Sequence, residues 1–329
     1  MSRVFVTRKI ADEGLELLQG KVDLEIWEED RVIPREVLLE KVKGVDAILS
    51  LLTDKMDSIL MDAAGPQLKI ISNYAVGIDN IDVKAATERK IYVANTPGVL
   101  TEAVAEHAFA LLMSIARHIP ESDRFTREGK FVGWAPMLFL GTEVKGKVLG
   151  VVGLGRIGSR VAEMAVKGMG MKVIYYDVKP SAEFEKEFGA TFKDLDPLLK
   201  EADFISIHVP LLPETHHLIS AEKLALMKKS AYLVNTSRGP VVDEAALVEA
   251  LKNGVIRGAA LDVYENEPAL TPGLTELQNV ILAPHTGSAT DEARNAMSAL
   301  AAQAILDVLD GKLPQNLVNK ELVGQDIKK

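Results

Sequence analysis

The first hundred residues alternate short aliphatic, β-branched runs with stretches whose apolar positions recur every three or four residues. The runs predict strands at Arg3–Thr7, Val22–Trp27, Ala47–Ser50, Ile70–Ser72 and Tyr92–Ala94. The intervening stretches predict helices near Asp12–Leu18, Arg35–Val42, Asp57–Ala63 and Val83–Arg89. Strands and helices in this alternation build a parallel sheet covered on both faces. Thr96-Pro97-Gly98 then breaks the pattern, and a long helix is expected from about Thr101, with Thr101 available as its N-cap.

A second alternating series starts at Lys147. Its strands are expected at Val148–Val152, Lys172–Tyr176, Phe204–Ile207, Tyr232–Asn235, Ala259–Leu261 and Val280–Leu282. Helices are expected near Ile157–Gly168, Asp196–Glu201, Ala221–Met227 and Asp243–Asn253. After Thr286-Gly287-Ser288 comes another long helical pattern, roughly Thr290–Leu309, with Gly311 as its stop. With 329 residues the chain exceeds what one core usually organises, so two α/β domains are expected.

Charge and composition narrow the partners. A net charge of −9 argues against nucleic acid, which needs a basic face, and offers no attraction to an anionic membrane. A small anionic substrate stays open, because one or two local cations outweigh a net field inside a cleft. With 0 cysteines, disulfides, thiolate zinc sites, iron–sulfur clusters and cysteine nucleophiles are excluded; no metal is assigned. The N-terminal residues lack the apolar stretch of a secretory signal. The most apolar helix candidate, Ala103–Ala116, is interrupted by Glu106 and His107 and is too short to span a bilayer. The expectation is a cytoplasmic protein.

Gly153-Leu154-Gly155-Arg156-Ile157-Gly158 fits G-x-G-x-x-G, between a buried-strand run and an amphipathic helix pattern. The first glycine permits a tight turn, the second lets backbone approach a pyrophosphate, and the third lets helix pack on strand. Asp177 ends the next strand, 19 residues after Gly158. A carboxylate there accepts from the ribose hydroxyls and repels a 2′-phosphate, which favours NAD(H) over NADP(H), although Lys179 lies nearby. The bland alternative is an ordinary aspartate at a strand end.

Three more segments follow predicted strands. In Thr236-Ser237-Arg238-Gly239-Pro240, Arg238 could clamp a carboxylate or be a solvated loop arginine. In Asp262-Val263-Tyr264-Glu265-Asn266-Glu267-Pro268, the acids could be a polar turn. Of 6 histidines, only His285, in Pro284-His285-Thr286-Gly287, occupies a glycine-punctuated turn comparable to those two. Reduction of a keto group leaves an alkoxide that needs a positioned acid, and histidine suits that role near neutrality.

Together these motifs resemble the D-isomer-specific 2-hydroxyacid dehydrogenase family, and within it most resemble glyoxylate/hydroxypyruvate reductases. The likeness runs from Leu51-Leu52-Thr53-Asp54 to the final long helix. It implies a Rossmann dinucleotide-binding domain at 99–287 and a flavodoxin-like substrate domain at 1–98 plus 288–329, two doubly wound parallel sheets. It implies that Arg238 binds substrate, that His285 is the acid/base paired with Glu267, and that Gly153, Gly155, Arg156, Ile157, Gly158, Asp177 and Thr236 hold cofactor. Asp262 would hold the nicotinamide carboxamide. Leu52 and the backbone of Val76 and Gly77 would meet the substrate, a small 2-keto or 2-hydroxy acid. Trp134, Met137 and Leu140 would contribute across a homodimer. Thr286 departs from the isoleucine common in the family. Two other readings stand beside this one: a 3-phosphoglycerate dehydrogenase, which lacks support in a phosphate-binding cation cluster, and a non-catalytic NAD(H)-sensing interaction protein, which lacks support in an added regulatory tail.

Overall fold

The computed structural model describes residues 1–323. The chain forms two compact units, Met1–Leu100 together with the chain from Ala289 onward, and Thr101–Ser288.

In the first unit, β1 (Arg3–Val6), β2 (Asp23–Ile26), β3 (Ala47–Ser50), β4 (Ile70–Asn73) and β5 (Tyr92–Ala94) form a parallel sheet in the order β2-β1-β3-β4-β5. This is the flavodoxin-like order. β3 and β4 are buried throughout, as central parallel strands covered on both faces must be. The helix Asp291–Leu309 covers one face, and Ser72 Oγ donates to its Ala301 carbonyl at 2.9 Å. Gly14, in the helix Asp12–Leu18, permits the closest approach: a Cβ there would lie 2.2 Å from Ser298 Oγ. Ser298 Oγ instead accepts from Gly14 N at 2.9 Å and donates to Ala11 O at 2.6 Å.

In the second unit, β6 (Val148–Val152), β7 (Lys172–Tyr176), β8 (Thr191–Phe192), β9 (Phe204–Ile207), β10 (Tyr232–Asn235), β11 (Gly258–Leu261) and β12 (Val280–Leu282) run parallel in the order β12-β11-β10-β9-β6-β7-β8. The order from β8 to β11 is that of the Rossmann fold, extended by β12. Apolar clusters fill both faces of this sheet.

Departures from the expected elements are local. Thr101 is the first residue of its helix, Thr101–Ala116, instead of the flanking cap. Thr290, expected inside the last long helix, is that helix's N-cap, accepting from Ala293 N at 3.1 Å. β8 and the helices Ile119–Arg127 and Ala182–Phe188 lie outside the expected elements. Ile119–Arg127 buries no residue and Ala182–Phe188 buries only Phe184, so neither displays a core-facing repeat. No helix among the described residues is long and apolar enough to cross a membrane.

Candidate active site

Because the strands of the second unit are parallel, the turns that follow them emerge at one edge of the sheet, where open α/β folds place their sites. The turn after β6 carries the three glycines, and each is there for a different reason. Gly153 has φ of +97°, and a Cβ on it would stand 2.8 Å from Val209 N. A Cβ on Gly158 would stand 2.0 Å from Gly153 O. Gly155 is required by neither constraint: a Cβ there meets nothing within 4 Å among the described residues. Gly155 is also the N-cap of the helix Arg156–Met169, which has no side-chain cap. Open space over uncapped N–H groups at a helix start fits a pyrophosphate. Arg156 opens that helix and is exposed, while Ile157 is half-buried. After β7, Asp177 accepts from Leu154 N and from Val178 N, both at 2.7 Å, and so fastens the glycine turn to the next strand. After β10, the buried Thr236 hydroxyl has no hydrogen-bond partner among the described residues. These residues fit a dinucleotide.

The turns after β10, β11 and β12 bring together the other candidates. His285 holds a left-handed backbone, φ 56°, and its Nδ1 lies 2.9 Å from Glu267 Oε2. Glu267 Oε1 accepts from Tyr264 N at 2.9 Å. Burial alone would raise the Glu267 carboxyl, but the His285 hydrogen bond, the Tyr264 N–H and the Arg238 charge outweigh it and hold the group below the usual range. Arg238 therefore acts on the same carboxylate that pairs with His285. Its own position is set by Nη1 donating to Ser237 O at 2.7 Å and by its carbonyl accepting from Asn235 Nδ2 at 2.9 Å. Gly239 packs directly on the next turn, since a Cβ there would come within 1.8 Å of the Tyr264 carbonyl carbon. Tyr264, its hydroxyl pushed up to about 12 by burial, donates to Ala283 O at 2.8 Å and ties that turn to the end of β12.

Asp262, expected from the resemblance at the nicotinamide, is 1% exposed and accepts from Thr286 N and Gly287 N, both at 2.8 Å. It pins the turn that presents His285. The Thr286 hydroxyl adds a contact to Asp262 Oδ1 at 3.3 Å, a bond an isoleucine at this position could not make. His107, on the helix Thr101–Ala116, places Nε2 3.2 Å from the same oxygen. Burial favours a neutral Asp262, but His107 and the two backbone N–H groups outweigh it and lower the carboxyl below its usual range. Nothing local in the sequence marks His107 for this place: it lies in another element, more than 150 residues away.

In the first unit, Leu52 is half-buried in the turn after β3, where Asp54 Oδ2 accepts from Leu51 N at 2.9 Å. Val76 and Gly77 follow β4. Their carbonyls are held by side-chain amides, Asn95 Nδ2 to Val76 O at 2.7 Å and Asn73 Nδ2 to Gly77 O at 2.8 Å. Asn80 Nδ2 links this turn to the previous one through Leu51 O and Asp54 O, each at 3.0 Å. Fixing the carbonyls fixes the direction of the peptide groups. The three asparagines do not stand out in the sequence, where asparagine after a strand reads as an ordinary turn residue.

Residues 109–287 match the family described as D-isomer specific 2-hydroxyacid dehydrogenase, NAD binding domain. A glyoxylate reductase of Thermococcus litoralis is 53% identical over 325 residues, 98% of each chain. The chain belongs to this family. It is accordingly an oxidoreductase, a D-2-hydroxyacid dehydrogenase with a nicotinamide-dinucleotide domain that reduces 2-keto acids. Solved structures agree in fold. A protein from Thermus thermophilus, 43% identical, superposes with a TM-score of 0.90 over 96% of this chain and 99% of its own. An NADPH-dependent glyoxylate/hydroxypyruvate reductase from Sinorhizobium meliloti, solved with citrate, is 34% identical with a TM-score of 0.84, covering 97% of this chain and 98% of its own.

Proposed function

We propose that this dehydrogenase reduces glyoxylate or hydroxypyruvate to the D-2-hydroxy acid with NADH, with His285 as the proton donor. The observation that carries the reading is the His285–Glu267 pair at 2.9 Å within the electrostatic reach of Arg238, on the same sheet edge as the glycine turn. The naming of the Thermococcus litoralis relative, at 53% identity, supports the substrate class.

A nicotinamide cofactor supplies the hydride. The chain's part is to hold the acid and manage the charge that develops. Arg238 binds the substrate carboxylate and polarises the carbonyl. By the family resemblance Leu52 and the backbone of Val76 and Gly77 are further substrate-binding residues, with the direction of those two peptides fixed by Asn95 and Asn73. With His285 Nδ1 engaged by Glu267, Nε2 is the nitrogen that passes a proton to the nascent alkoxide. Asp262 positions that ring through the backbone of Thr286 and Gly287, in addition to any contact with the carboxamide. Asp177 disfavours a 2′-phosphate by charge, which selects NADH; Thr236 and the Gly155 gap serve the rest of the cofactor.

We further read the chain as a cytoplasmic homodimer. Val132, Trp134 and Met137 are 97%, 85% and 75% exposed in one stretch, and Leu140 is 54% exposed. Apolar side chains so concentrated are those a second copy would cover.

Replacing His285 by Ala tests the central role. Turnover should fall roughly 10²- to 10⁴-fold, the usual scale for a general acid. NADH affinity, followed by fluorescence, should barely change. Turnover close to that of the native chain would remove His285 from the role.

A further inference from the structure

A second cluster of potential ligands lies on other residues of the Thr101–Ser288 unit. His216 and His217 sit in the loop that follows β9. Side chains of successive residues ordinarily diverge. Here His217 adopts φ of 49°, and the two rings lie side by side with centroids 4.1 Å apart and planes tilted by 31°. His217 Nε2 lies 2.7 Å from Glu265 Oε1. One donor atom from each of His216, His217 and Glu265 falls within 4.8 Å of the others.

The donors rest on a braced frame. His216 N donates to Leu212 O at 3.0 Å, and His217 N donates to Pro240 O at 2.8 Å. Glu265 N donates to Glu244 Oε1 at 2.7 Å, and Glu265 Oε2 accepts from Glu244 N at 3.3 Å. Glu244 is itself 1% exposed and held by the Thr271 hydroxyl, which donates to its Oε2 at 2.6 Å. Ligands supported by a second ring of hydrogen bonds are characteristic of working metal sites.

We propose that His216, His217 and Glu265 bind one divalent transition-metal ion of the zinc class, with water completing the coordination. Two imidazoles and a carboxylate suit zinc, whereas magnesium and calcium favour all-oxygen shells. The ion displaces the hydrogen bond between His217 and Glu265, and the imidazoles bind as neutral rings. It cross-links the loop after β9 to the Tyr264–Glu267 segment. His217 also hangs on Pro240, so the same link braces the turn that carries Arg238. Sequence alone assigns no metal here, because 48 residues separate His217 from Glu265.

The test uses the full chain stripped with a chelator, then titrated with Zn2+ by calorimetry and with Co2+ by visible absorption. The expected result is one tight ion per chain and Co2+ bands of low coordination number. His216→Ala, at an exposed position, should weaken Zn2+ by roughly tenfold or more while metal-free turnover stays native. Glu265→Gln, which removes the anionic ligand, should also weaken binding. Weakening in either variant with native metal-free turnover supports the site. Native affinity in both variants, or no ion bound by the native chain, overturns it.

Discussion

Gly155 and Gly158 lie three residues apart in one motif but answer to different forces, and that difference is measurable. A Cβ on Gly158 collides with Gly153 O at 2.0 Å, so Gly158→Ala should lower thermal stability. A Cβ on Gly155 meets nothing within 4 Å among the described residues, so Gly155→Ala should leave stability intact and weaken NADH binding instead. Equal destabilisation by both would show that the open space is not kept for a ligand. Asp177→Ala should shift preference toward NADPH in paired kcat/KM measurements, and an unchanged ratio would show that Asp177 does not read the ribose. The motif is legible in the sequence because every member is local. The pairing of His285 with Glu267 is not legible from spacing and enters only through the family resemblance. His107, Asn73 and Asn80 reach their partners across the fold, so no local pattern announces them.

At the scale of elements, hydrophobic periodicity locates those that bury a face. The strands β3, β4, β9 and β10, buried at every position, lie within a residue of their expected ends. β8, two residues at the sheet edge, carries too little pattern to register. Helix boundaries depend on caps, and Thr290 shows how: its hydroxyl accepts from Ala293 N at the start of Asp291–Leu309. Thr290→Ala should cost about 1 kcal/mol, read as a lowered midpoint in denaturant. No change in midpoint would mean that packing of the helix on β4 alone sets its stability.

For the whole molecule, the alternation of strand and helix conveys two parallel α/β sheets, and the glycine motif marks which series binds nucleotide. Strand order cannot be read from periodicity, since it depends on which strands pair across the crossovers. A pH dependence follows from His208, beside the glycine turn. Burial lowers its imidazole to about 4 from 6.5. Between those values the unfolded chain binds the proton and the folded chain does not, so this contribution to stability is present above pH 6.5 and declines as pH falls toward 4. Urea midpoints taken at descending pH should fall through this window, and His208→Gln should flatten the fall. A native slope in that variant would assign the dependence to other groups.

Reduction of a small 2-keto acid by NADH is tested by oxidation of NADH and NADPH, in parallel, with glyoxylate, hydroxypyruvate, pyruvate and 3-phosphohydroxypyruvate. Fast turnover of NADH with glyoxylate or hydroxypyruvate is expected, with slower turnover of NADPH. Preference for the phosphorylated acid, preference for NADPH, or NADH binding without turnover of any acid would contradict the proposed function.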